Sequence, residues 1–103
     1  MWAQLITMRL KPGREHDLPK MSAQLRAAEQ PDSGLLHTTT TQDANDPLRV
    51  YTLVVFESEA KARERENDPR RQEGLEAARA TMAEMFDGAP EFTDLTVVHD
   101  WVL

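Results

Sequence analysis

Three histidines, one tyrosine and no cysteine limit the chemistry open to this chain. Without a thiol there is no thiolate nucleophile and no disulfide framework. His37 and His99 fall in stretches that read as strands, where each could line a pocket or act as a general base. His16 sits at a helix entrance and reads as solvated. Tyr51 could donate a hydrogen bond to a phenolic or carbonyl ligand. His37, Tyr51 and His99 are therefore the candidate catalytic groups. Each has a competing role: structural for the histidines, and an interface residue with its hydroxyl at the rim for the tyrosine. His99 and Asp100 form no dyad, because successive strand residues face opposite sides. A metal site would need His37, His99 and a carboxylate to converge. Nothing in the spacing requires that, and no metal is assigned. The four glycines are isolated, so no phosphate-cradling loop is visible.

The elements that must position these groups follow from periodicity. Residues 2–10, "WAQLITMRL", are apolar at both parities and read as a strand ended by "KPG". Leu18, Met21, Leu25 and Ala28 form a helical stripe. Pro19 requires that helix to begin near Asp17, whose side chain could cap it. Residues 35–42, "LLHTTTTQ", and 48–57, "LRVYTLVVFE", read as strands joined by "DANDP". Ser58 can cap a polar helical segment. "NDP" then interrupts it, and Asp68 with Pro69 can start a second. Leu75, Ala78, Met82 and Met85 give that second segment an apolar stripe, closed by Gly88 and Pro90. Residues 91–103 read as the last strand.

The order β-α-β-β-α-β predicts an α+β, ferredoxin-like domain over residues 1–103, with two helices on one face of an antiparallel sheet. The strand "VYTLVVFE" is apolar on both faces: Val50, Val54 and Phe56 on one, Tyr51, Leu53 and Val55 on the other. In the last strand, Leu95, Val97 and Trp101 oppose Phe92, Val98 and Val102. Helices bury only one set. Trp2, Leu53, Leu95 and Trp101 are large residues to leave in water, so a homodimer with sheet packed on sheet is expected.

Composition narrows the partners. The chain has 103 residues and a formal net charge of −6, which argues against nucleic acid and against an anionic membrane. No stretch approaches the roughly 20 apolar residues of a membrane span. The first residues do not read as a signal peptide, so a cytoplasmic location is expected. Arginine in excess of lysine and abundant alanine suggest a GC-rich bacterial genome. The charges at 57–73 mix signs at i,i+4 spacing, as in Glu59 with Arg63 and Glu66 with Arg70. They read as a solvated helix face.

The succession "KPGRE", "QPDSGLL", "VVFESEAKA" and "NDPRRQE" resembles the antibiotic biosynthesis monooxygenase superfamily over essentially the whole chain. The resemblance implies a dimeric α+β barrel and a pocket between sheet and helices. It also implies a mixed set of chemistries: cofactor-free oxygenation of phenols and quinols, haem degradation, or lactone isomerisation. The aromatic residue that opens the Glu-Ser-Glu run is usually tryptophan, and here it is Phe56. The cofactor-free oxygenases have asparagine where this chain has Thr52. The haem-degrading branch has asparagine near Ile6 and a histidine ligand near Leu75, whose side chain offers iron no lone pair. No haem or other cofactor is therefore expected. The pocket so implied is lined by Ile6, Thr52, Phe56, Leu75 and Met82. It is mostly apolar and suits a small aromatic or quinone-like compound. Two functions fit: a cofactor-free monooxygenase, or a non-catalytic dimer that binds a small ligand or a protein. An open, polar-tipped pocket would support the first, and a pocket filled by Phe56, Leu75 and Met82 the second.

Overall fold

The computed structural model describes residues 1–103. Four strands, β1 (Trp2–Arg9), β2 (Leu35–Gln42), β3 (Arg49–Phe56) and β4 (Glu91–Thr96), form one antiparallel sheet in the order β2-β3-β1-β4. A short 3-10 turn (Glu15–Asp17) leads into α1 (Leu18–Ala28). Two further helices, α2 (Glu59–Glu66) and α3 (Pro69–Met85), connect β3 to β4. This is the expected ferredoxin-like order, with the second helix in two pieces.

The breaks have local causes. Ser58 accepts a hydrogen bond from the Lys61 backbone N–H at 3.1 Å, which starts α2. Asp68 accepts one from the Arg70 N–H at 2.9 Å, and Pro69 occupies the first turn of α3. Gly88 has φ +81° just past the end of α3, a conformation that suits a residue without a Cβ. Asp17 does not cap α1. Its carboxylate is held instead by Arg14 Nε at 2.6 Å.

Register fixes the two faces of the sheet. Trp2 pairs with Phe56, Gln4 with Val54, Ile6 with Thr52 and Met8 with Val50. Gln4 pairs with Asp94 and Ile6 with Phe92 on the other side. This parity faces the helices. At one end of the sheet Met8, Leu10 and Val50 pack with Met21, Met85 and Phe86 to form the core. Ala3, Leu5, Leu53, Val55, Tyr51 and Leu95 share the opposite, outer face. The alternation expected of "VYTLVVFE" is therefore realised. Trp2, expected among the large residues left over, instead lies on the helix side, with its ring 6.0 Å from that of Phe56.

The last strand is shorter than expected. It ends at Thr96, and Val97 to Leu103 run on without strand pairing. Val98 is 94% exposed and Trp101 77% exposed. Val97 and Trp101 therefore do not belong to a sheet face. The helices α1 and α3 meet closely where Gly74 passes Ala28: a Cβ built on Gly74 would lie 2.7 Å from the Ala28 Cβ.

Candidate functional site: an arginine-lined cleft between the sheet and α3

The core fills the space under the helices at one end of the sheet and leaves it open at the other. There a cleft of about 340 Å³ lies between β1, β3 and β4 on one side and α2 and α3 on the other. Its floor comes from the helix-facing strand parity: Trp2, Gln4, Ile6, Phe56 and Phe92. Its wall comes from Arg71, Leu75 and Arg79, which recur at i, i+4 and i+8 on α3 and so share one helix face. Ala62, Arg65 and Glu66 of α2 complete it. The volume falls within the usual range for a small-molecule site.

Three of the five expected lining residues, Ile6, Phe56 and Leu75, are in this cleft. Thr52 and Met82 are not. The Thr52 hydroxyl is engaged with that of Thr40 at 3.0 Å, and Met82 packs against the core. The expected catalytic groups lie elsewhere. His37 is on the outer parity of β2, with Nε2 3.0 Å from the Thr39 hydroxyl. Tyr51 is on the outer parity of β3 and donates its hydroxyl to Asp43 Oδ2 at 3.1 Å. His99 lies in the extended C-terminal segment, with its ring 4.8 Å from that of Trp101. The structure brings none of the three to the cleft.

The arginines are what sequence reasoning missed. The run at 57–73 is not wholly a solvated face. Arg65 and Arg71 turn inward, and Arg71 is only 5% exposed. The expected Glu59–Arg63 pair forms at 3.3 Å, but Arg70 binds Asp68 and Asp32 rather than Glu66. Glu66 is bound by Arg63 at 2.9 Å. A signal was present in the sequence: Arg71 and Arg79 flank Leu75 at helical spacing, so any cleft that receives Leu75 receives them too.

The charges are ordered by specific contacts. Arg65 Nε lies 3.0 Å from Glu29 Oε2, and its guanidinium carbon sits 5.3 Å from the centre of the Phe56 ring. Burial alone would raise the Glu29 carboxyl. Hydrogen bonds from Arg65, Ser33 and the Gln30 backbone, with the charge of Arg65, together outweigh it, so Glu29 titrates below its ordinary value of 4.5. Arg63 lies 5.1 Å from the centre of the Trp2 ring and also pairs with Asp94 at 3.3 Å. Arg71 Nη1 donates to the Arg65 carbonyl oxygen at 2.9 Å, while its Nε is buried without a partner.

Solved structures with this fold give it a context. One from Nitrosomonas europaea, described as a "putative antibiotic biosynthesis monooxygenase", has a TM-score of 0.75 at 12% identity and covers 96% of this chain and 100% of its own. The fold is that of the antibiotic biosynthesis monooxygenase structures. A point mutant of SnoaB, a cofactor-independent oxygenase from Streptomyces nogalater, has a TM-score of 0.73 at 15% identity, covering 96% of this chain and 94% of its own. A protein of unknown function from Nitrosomonas europaea has a TM-score of 0.74 at 18% identity, covering 99% of this chain and 93% of its own. No protein-family model and no curated protein matches the sequence. The antibiotic biosynthesis monooxygenase fold agrees with the resemblance carried by "VVFESEAKA" and "NDPRRQE". No helix is long and apolar enough to cross a membrane.

Proposed function

We propose that this protein is a homodimeric, cofactor-independent monooxygenase that acts on a small hydroxylated aromatic or quinone-like compound held in the cleft. The observation that carries the proposal is the cleft itself. Aromatic and aliphatic side chains (Trp2, Phe56, Leu75, Phe92) offer a slot for a flat ring, and charged groups line it. It is open and polar-tipped rather than filled by Phe56 and Leu75, which supports the enzyme over a non-catalytic dimer that binds a small ligand or a protein. It occupies a fold shared with a cofactor-independent oxygenase.

In such a reaction a hydroxyarene and dioxygen give a quinone and water. One oxygen atom becomes the new carbonyl. The other leaves as water with the ring C–H and phenolic O–H hydrogens. The substrate supplies all four electrons. The protein has to favour the substrate anion, hold it and keep water from it.

The outer sheet face supports the dimer. Leu5, Leu53, Val55 and Leu95 form an apolar surface with no covering element in the chain. A second copy applied sheet to sheet would cover it.

Oxygen uptake with a panel of naphthols and quinols, under isotopically labelled dioxygen, tests the activity. The expected result is enzyme-dependent uptake with label in the quinone carbonyl. No uptake above substrate autoxidation across the panel would overturn the assignment.

A further inference from the structure

The chain as a whole is acidic, with a net charge of −6, yet the cleft lining has three arginines and a single glutamate. That reversal of sign is local and is built from specific residues.

Arg71 is 5% exposed. Its position is unfavourable for a structural cation. Burial and the neighbouring charges of Arg65 and Arg79 disfavour its charged form and outweigh the opposing charges of Glu29 and Asp68. It also sits in the first turn of α3, the positive end of the helix dipole. The nearby acids do not offset this with a contact. The Glu29 carboxylate is taken by Arg65, Asp68 by Arg70, and Glu66 by Arg63. The only acceptor bound to the Arg71 guanidinium is the Arg65 carbonyl, at Nη1. Nε, which with Nη2 forms the guanidinium edge suited to a carboxylate or phenolate oxygen, is buried without an acceptor. A buried donor left unpaired is costly, and a ligand that supplies the acceptor recovers that cost.

We propose that the cleft selects ring compounds bearing an oxyanion, a carboxylate or a ring phenolate, and that Arg71 is the anion-binding residue. This rests on the cleft being the ring-binding site. Phe56 and Leu75 receive the ring, Arg71 takes the oxyanion at the inner end, and Arg79 lies at the exposed mouth with no acidic partner. Arg65 stays committed to Glu29 and supplies long-range charge. For a hydroxyarene substrate the same contact favours the phenolate, so the proton can leave to solvent without a dedicated base.

The test compares 2-naphthoate, its neutral isostere 2-naphthamide, and 2-naphthol at rising pH, by calorimetric titration of the native protein. The expected result is binding of 2-naphthoate about tenfold or more tighter than the amide. Added salt should weaken the acid and leave the amide unchanged. 2-Naphthol should tighten as it ionises if a phenolate is accepted, and stay flat if only carboxylates are. Arg71→Met should abolish the preference for the acid while keeping amide affinity, and Arg79→Met should reduce it partly. Equal binding of acid and amide by the native protein, or a preference that survives Arg71→Met, would overturn the proposal while leaving the ring-binding cleft intact. No binding of any of the three compounds would remove both. If Arg71→Met does not fold, the comparison of acid with amide and its salt dependence on native protein decide the matter.

Discussion

Arg71 Nη1 donates to the Arg65 carbonyl across the break between α2 and α3, at 2.9 Å. The bond spans the Asn67–Asp68 interruption and anchors one edge of the guanidinium. The chain thereby uses a helix break to place a cation inside the cleft. The Arg65 carbonyl also accepts the Asp68 backbone N–H at 3.2 Å, so one oxygen serves both the helix end and the guanidinium.

Glu29 and Arg65 tie the end of α1 to α2 through a largely buried carboxylate–guanidinium contact. Glu29→Gln should destabilise the protein by about 1–2 kcal/mol at neutral pH. The Glu29 carboxyl is lowered in the folded state, so its contribution is full above its ordinary value of 4.5 and is lost as pH falls through the lowered value. Thermal melts of the two proteins should converge on acidification. A gap that stays constant through that range would show that the charge is not what stabilises the contact.

Gly74 lies where α3 passes close to α1 at Ala28. Ala in a helix is ordinarily better than Gly by about 1 kcal/mol. Here the added Cβ would meet the Ala28 Cβ at 2.7 Å and the Ala28 Cα at 3.2 Å. Overpacking costs roughly 1–3 kcal/mol, so Gly74→Ala should lower the melting temperature. Adding Ala28→Gly should restore part of the loss. A melting temperature that rises in Gly74→Ala would contradict the close packing.

The Ser58 hydroxyl caps α2, a helix whose only buried side chain is Ala62. Ser58→Ala should cost about 1 kcal/mol in denaturant unfolding. Because α2 carries Arg65, the same change should also weaken ligand binding in the cleft. Unchanged stability would mean the cap is dispensable.

Leu53 lies on the outer parity of β3, away from the cleft. Native protein should elute at twice the chain mass by chromatography with light scattering, and Leu53→Lys should give monomer or aggregate with an unchanged circular dichroism spectrum. A native protein that is monomeric at micromolar concentration would remove the sheet-to-sheet dimer.

The fold was legible because its signals are local and redundant. Ser58, Asp68 with Pro69, and Gly88 punctuate the chain where the structure breaks it, and two-sided apolar strands marked the sheet. Asp17 was misread because a capping residue type can be claimed by a neighbouring side chain, here Arg14. The end of β4 was misread because apolar alternation continues past Thr96 after pairing with β1 has stopped. The cleft was half legible. Ile6, Phe56 and Leu75 followed from the family resemblance, which places a pocket between sheet and helices at those positions. Arg65 and Arg71 were hidden in a charge run, since composition does not say which arginine turns inward. His37 and Tyr51 looked chemical by type, but strand parity carries them to the outer face.

A ring bearing an oxyanion should sit between the sheet and α3. A crystal structure of the protein soaked with 2-naphthoate tests it most directly. Density for the ring is expected between Phe56 and Leu75, with the carboxylate on the Nε edge of Arg71. Density on the outer sheet face beside His37 and Tyr51, or a cleft left empty at saturating ligand, would contradict it.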